Sequence, residues 1–323
     1  MPTIKDVARV AGVTVTTVSR VLNNRGYISE ATRNKVHEAM EELNYQPNEI
    51  ARSLFRRKSN ILGLIVPNVS HPFFAELTNY VESYAYEAGY KVLLCNSYQD
   101  SVKEKDYVEM LKRNQVDGII MGSHTVETSD YLVPTLPIVA LDRDFQNNIP
   151  FVTSDNYEGG FLATKLLIEK GCRKLAHISG PLEINTPANK RYQAFINVVK
   201  DNEIQYVIKE AKLDIFESYE KLAFNLLKEH PDIDGIFASS DMIAASIIHV
   251  ANLMGKEIPK DLKIIGYDDI SLASLIVPPL TTVKQPIKEM AALAVQLLID
   301  QIEKKNVIIE NVVPVSLIER KTT

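Results

Sequence analysis

Thr14, Thr17 and Ser19 set three short hydroxyl groups around Arg20, in the stretch V-T-V-T-T-V-S-R-V-L. Hydroxyls of this kind donate to phosphate oxygens, which fix register on a duplex without reading its sequence. An arginine can make a two-pronged contact with the edge of guanine. A second chemistry lies further along. Asp142, Asp155, Ser240, Asp241 and Asp268 each sit at the end of a short apolar run. Carboxylates backed by an arginine suit sugars, because every sugar hydroxyl both donates and accepts. Phe73 and Phe74 offer rings for a sugar's apolar face. Each feature has a plainer alternative: solvated hydroxyls on a helical hairpin, an aspartate capping a helix, a phenylalanine in the core.

The elements that must carry the first set are short helices. Ile4, Val7, Ala8 and Ala11 share one face of a helix from Ile4 to Val10. Gly12 can take the backbone shape of a sharp turn. Thr14 is placed to cap a second helix, Val15 to Leu22, whose exposed side carries Val15, Thr16, Ser19 and Arg20. Ala8, Gly12, Val18 and Val21 form the small, turning and gap-filling pattern of a helix-turn-helix, whose second helix enters the major groove. A third helix, Glu30 to Leu43 behind a Ser29 cap, offers Ala31, Val36, Ala39, Met40 and Leu43 as its apolar face. Pro47 then ends the helix and Asn48 can cap another, short one. A helix this short is marginal alone. Pairing through Ala51 and wedging Leu54 between base steps in the minor groove would support it, and a basic linker is the alternative reading.

Charge divides the chain in the same place. Residues 1–58 hold ten Lys/Arg against six Asp/Glu, a head of +4 on a chain whose formal charge is −5. A basic head on an acidic body implies a polyanionic partner for the head. After Ser59, apolar runs at 61–66, 91–96, 118–121, 137–142, 174–179, 235–240 and 263–268 alternate with amphipathic stretches. That alternation implies parallel sheets covered on both faces, in two lobes, with ligands bound beyond the carboxyl ends of the strands.

Several classes are excluded. No apolar run is long enough to span a membrane, and M-P-T-I-K-D-V-A does not read as a secretory signal. Two distant cysteines, Cys95 and Cys172, give neither a disulfide framework nor a zinc pair and suit a reducing cytoplasm. There is no phosphate loop, dinucleotide fingerprint or nucleophile elbow. His37-Glu38 lacks the second histidine of a zinc-protease helix, His71 reads as a pocket-rim residue, and His177 as a core histidine. No catalytic residue, metal site or cofactor is expected. A sugar receptor for transport or a two-lobed enzyme remain the competing classes.

The stretches T-I-K-D-V-A-R-V-A-G-V-T-V-T-T-V-S-R-V-L-N and E-L-N-Y-Q-P-N-E-I-A-R-S-L resemble the head of the LacI/GalR family of bacterial repressors, and the resemblance continues through the body. It implies an all-α helix-turn-helix domain at 1–47, a hinge helix and linker at 48–59, and a two-lobed α/β core at 60–323 like a periplasmic sugar-binding protein. It places Val15, Thr16 and Arg20 at base-reading positions and Asn23 and Tyr27 at backbone-contacting ones. Thr3, Thr14, Thr17, Ser19, Asn48 and Ala51 complete the DNA-contacting set, and Leu54 is the lever at the centre of a palindromic operator.

By the same resemblance, Phe73, Phe74, Asp142, Arg191, Phe216, Ser240, Asp241 and Asp268 line the effector pocket. Ser240 departs from the asparagine of some members. The implied partners are double-stranded operator DNA, a small sugar and a second copy of the chain. N-N-R-G-Y-I-S-E and S-D-N-Y-E-G-G are similar to stretches of sucrose-operon repressors of Gram-positive bacteria, while ribose and other sugars suit the same scaffold. A phosphorylated effector would call for another cation, with Arg143 as the candidate. The resemblance favours release from DNA by sugar; a corepressor acting in the opposite sense stays open.

Overall fold

The computed structural model describes residues 2–46, 58–98, 100–123, 136–145, 148–183, 186–211 and 216–323. The chain divides into two compact units, Met1–Asn60 and Ile61–Thr323.

The first unit is built on α1 (Ile4–Val10), α2 (Val15–Leu22) and α3 (Glu30–Glu42). Val7, Ala8, Val18, Val21, Val36 and Ala39 are buried together. Gly12, at φ +64°, makes the turn between α1 and α2 in a conformation that suits glycine. Thr14 Oγ1 accepts from the Thr17 N–H at 3.1 Å, and Ser29 Oγ from the Thr32 N–H at 3.3 Å, so both expected caps form. Ala31 is exposed. It lies five residues before Val36, off the i, i+3, i+4 stripe that Val36, Ala39, Met40 and Leu43 follow. The expected hinge residues Asn48, Ala51 and Leu54 lie outside the described residues.

The second unit contains two six-stranded sheets. The first holds β1 (Ile61–Val66), β2 (Lys91–Asn96), β3 (Gly118–Met121), β4 (Ile138–Leu141), β5 (Phe151–Ser154) and β11 (Glu310–Val313). Its order is β2-β1-β3-β4-β5-β11. The second holds β6 (Lys174–Ser179), β7 (Gln205–Glu210), β8 (Gly235–Ala238), β9 (Lys263–Asp268), β10 (Thr281–Lys284) and β12 (Ser316–Ile318), in the order β7-β6-β8-β9-β10-β12. Among the described residues every pairing is parallel except β10 with β12. The central strands are buried on both faces, which is why they read as unbroken apolar runs rather than alternating ones.

Helices α4 (Pro72–Glu87), α5 (Ser101–Arg113) and α10 (Ile287–Ile302) cover the first sheet. Helices α6 (Asn156–Glu169), α7 (Asn189–Asp201), α8 (Phe216–Glu229) and α9 (Asp241–Leu253) cover the second. The chain passes between lobes after β5, after β10 and again between β11 and β12. Cys95 and Cys172 are buried free thiols, pushed up to about 11 by burial. No helix among the described residues is long and apolar enough to cross a membrane.

Candidate functional site

Both sheets send their strand ends toward one cavity of about 160 Å³. Pro67 and Asp142 reach it from the ends of β1 and β4 of the first lobe. Ser179, Ala211, Ser239, Ser240 and Asp268 reach it from β6, β7, β8 and β9 of the second. Gln285 enters from the crossover after β10.

Pro72 starts α4 directly after His71, and that helix's first turn lies at the cavity. His71, Phe73 and Phe74 all line it. The rings of Phe73 and Phe74 meet edge to face at 5.1 Å, and His71 meets Phe74 the same way at 5.7 Å.

Asp142 and Asp268 sit at φ +52° and φ +121°, a region L-residues seldom occupy. Backbone held there is strained and persists only where the surroundings over-determine it. Asp142 Oδ1 accepts from Thr153 Oγ1 at 2.6 Å and Asn156 Nδ2 at 3.3 Å. Asp268 Oδ1 accepts from Gln285 Nε2 at 2.7 Å, and Gln285 Oε1 accepts from Ser154 Oγ at 2.7 Å. Gln285 thus ties the end of β5 to the end of β9, one lobe to the other. Burial pushes the Asp268 carboxyl up to about 6, against the pull of Arg191, His71 and Gln285; Asp142 adds to the rise.

Arg191 on α7 is buried, with its guanidinium 3.5 Å from the centroid of Tyr267 on β9. Its Nε donates to Asn156 Oδ1 at 2.6 Å and its Nη1 to the Ser239 carbonyl at 2.8 Å. Two glycines make this possible. A Cβ on Gly160 would lie 2.6 Å from the Arg191 carbonyl oxygen, and one on Gly159 2.5 Å from the Tyr267 hydroxyl.

The structure therefore gathers Phe73, Phe74, Asp142, Arg191, Ser240 and Asp268 around one cavity. Asp241 is not on that wall. It is the fully buried first residue of α9, where Oδ2 accepts from the Ile270 N–H at 2.9 Å and Oδ1 from Thr282 Oγ1 at 2.5 Å. Burial, and then Asp268, raise its carboxyl well above the ordinary range. Gly266 leaves room for it, since a Cβ there would meet Asp241 Oδ1. Its place at the end of an apolar run and the family resemblance both point to the pocket, but the helix turns it inward. Asp155 likewise caps α6, accepting from the Glu158 N–H at 3.0 Å. Phe216 begins α8, and its side chain lies outside the described residues. Arg143 is not on the cavity wall either: it is buried beside Glu104 at 3.5 Å, donates to the Ser123 carbonyl at 2.6 Å and stacks 4.4 Å from Phe145.

Sequence reasoning missed Asn156, Gln285, Ser179 and the pocket face of His177. Their one available signal was position at a strand end or crossover, which carries no chemistry by itself. Among the described residues no cluster of His, Cys, Asp and Glu could hold a metal ion.

On the head, Val15, Thr16 and Arg20 are exposed on α2 and Tyr27 is almost wholly exposed beyond it. Ser19 is half-buried. Thr14 and Thr17 share a hydrogen bond at 2.9 Å, which uses one of their two hydroxyl protons. Thr3 turns back on the helix, its N–H and Oγ1 both donating to Asp6 Oδ2 at 2.9 and 2.8 Å. Asn23 Nδ2 donates to the Ser19 carbonyl at 2.9 Å.

A helix-turn-helix unit carried on one chain with a two-lobed, cleft-bearing α/β core defines a ligand-responsive DNA-binding regulator. Residues 3–48 match the bacterial regulatory proteins of the lacI family, and residues 164–323 a periplasmic binding protein-like domain. The chain is 46% identical to the ribose operon repressor of Halalkalibacterium halodurans, over 100% of this chain and 97% of that protein. It is 43% identical to the sucrose operon repressor of Streptococcus mutans, over 98% and 97%. Among solved structures, a lac repressor dimer bound to operator and the anti-inducer ONPF superposes with a TM-score of 0.89 at 27% identity, covering 99% of this chain and 98% of that one. The chain belongs to the LacI family of transcriptional regulators, and it is a DNA-binding protein rather than an enzyme.

Proposed function

We propose that the protein is a cytoplasmic, sugar-responsive transcriptional repressor. It binds a palindromic operator as a homodimer through α2 and releases it when a small sugar enters the cleft between the lobes. The observation that carries this reading is the joining of the exposed Val15, Thr16 and Arg20 on α2 with the cleft of Asp142, Arg191 and Asp268 in one chain. Two-fold symmetry in the protein is what a two-fold operator requires. Similarity to a lac repressor solved as a dimer on operator supports the assembly.

Thr3, Thr14, Thr17, Ser19, Asn23 and Tyr27 set register on the backbone, and Leu54, with Asn48 and Ala51 in the hinge, wedges the operator's centre. Phe73, Phe74, Asp142, Arg191, Phe216, Ser240 and Asp268 hold the sugar. The effector is sucrose or a related sugar, with ribose as the alternative; relatives named for both sugars are similar to this chain.

Ligand shifts the balance between DNA-competent and released states only by its differential affinity for them. Repeated selection of duplexes from a random library with the full chain tests the DNA half of this reading. A palindrome is the expected product. Enrichment of an asymmetric site, or of none, overturns it.

A further inference from the structure

Three polar atoms on the residues lining the cavity find no hydrogen-bond partner among the described residues, although each is buried: His71 Nδ1, His177 Nε2 and Ser179 Oγ. Leaving such a group unsatisfied forfeits its hydration without replacing it, so each needs an explanation. Two of the three lie two residues apart on β6, on the face covered by α7. His177 is wholly buried, with its ring stacked 4.7 Å from Phe237 and 5.1 Å from Phe195. Its Nδ1 stands 2.9 Å from the Phe237 carbonyl oxygen. A carbonyl only accepts, so Nδ1 carries the proton and donates. Nε2 is then a bare lone pair. Burial pushes the imidazole down to about 3, with Arg191 adding to the fall, so the ring stays neutral in the cell.

We propose that His177 Nε2 and Ser179 Oγ form a hydroxyl-reading subsite of the cavity, in which the histidine accepts a hydrogen bond from a ligand hydroxyl. This rests on the sugar-responsive reading above and narrows its ligand. A fixed lone pair repels any ligand oxygen that cannot donate, a phosphate ester or carboxylate oxygen included. The other charges act in the same direction. Asp142 and Asp268 put two carboxyl groups on the wall and Arg191 is the one guanidinium among the described lining residues. Two of that guanidinium's nitrogens already donate to Asn156 and Ser239, and Arg143 is held elsewhere. The ligand is therefore a neutral, unesterified polyhydroxy compound.

Calorimetry on the full chain tests this with D-ribose, D-fructose and sucrose, each beside its phosphate ester, followed by monodeoxy forms of whichever sugar binds. The free sugar should bind at least tenfold tighter than its ester. His177→Leu should weaken it by about tenfold, the worth of one such hydrogen bond. For one deoxy analogue, the lost hydroxyl should cost the wild type about tenfold and cost the variant nothing more. Near-UV circular dichroism and operator binding check that the variant is folded; where it is not, Ser179→Ala carries the same comparison. An ester that binds as well as its sugar, or penalties that multiply for every deoxy analogue, would overturn the subsite while leaving the sugar response standing. A wild type that binds none of these compounds overturns the sugar-responsive reading itself.

Discussion

Arg191 lies face-on to Tyr267, its guanidinium carbon 3.5 Å from the ring centroid. The ring holds the plane of the arginine while Asn156 Oδ1 and the Ser239 carbonyl fix its direction. Asn156 in turn donates to Asp142 Oδ1. A continuous polar path therefore runs from the first-lobe carboxylate to the second-lobe cation.

Lysine cannot reproduce that planar, forked and stacked arrangement. Arg191→Lys is expected to weaken sugar binding at least tenfold and to leave operator affinity within twofold of wild type. Calorimetry and fluorescence anisotropy on the same preparation check both values.

The approach of α6 to α7 depends on Gly160, where a Cβ would come within 2.6 Å of the Arg191 backbone. Gly160→Val should force the helices apart and cost about 1–3 kcal/mol, as overpacking of a tight site does. Urea unfolding measures the loss. The variant should also bind sugar more weakly, because its Arg191 is displaced from Tyr267.

Much of this scaffold is legible in the sequence, and the reason is physical. The caps at Thr14 and Ser29, the turn at Gly12 and the apolar strand runs are local signals, and each forms where its residues place it. The places of Asp142 and Asp268 on the cavity wall are legible because strand ends and a family resemblance coincide there, while Arg191, on α7, rests on the resemblance alone. Asp241 and Ser240 look equivalent in sequence, yet one helical step turns the first inward and leaves the second on the cavity wall. His177 reads as a core histidine and is one, stacked and buried. Only the orientation of its two nitrogens reveals a second face, and orientation is not encoded in spacing. Gln285 acts across 131 positions through Ser154 and has no local signature at all.

His177 also sets a pH dependence. Its folded value, near 3, lies below the ordinary 6.5, so the unfolded chain takes up a proton that the folded chain refuses. The cost of burying it neutral is absent above about pH 6.5 and grows as pH falls toward 3, by up to ~1.4 kcal/mol per pH unit. Asp268 works the other way between about 6 and 3.8, since its folded value is raised. The stability of wild type relative to His177→Leu should therefore shrink steadily from pH 7 to pH 4 in urea unfolding. A constant difference would mean that the histidine titrates normally.

Arg20, exposed on α2, reads base edges in this account. Arg20→Ala is expected to cost about 1–3 kcal/mol on the selected duplex and to relax preference at one base position in each half-site. An equal loss on every duplex would reduce Arg20 to a phosphate contact.

In the proposed mechanism, sugar binding by the α/β core is coupled to operator binding by the helical head. Fluorescence anisotropy of the selected palindrome, titrated with the full chain at one salt concentration with and without saturating sugar, measures that coupling directly. Operator affinity should fall roughly 5- to 150-fold on adding sugar, the usual span of a 1–3 kcal/mol coupling. Identical affinity in the presence of a sugar shown to bind would contradict it.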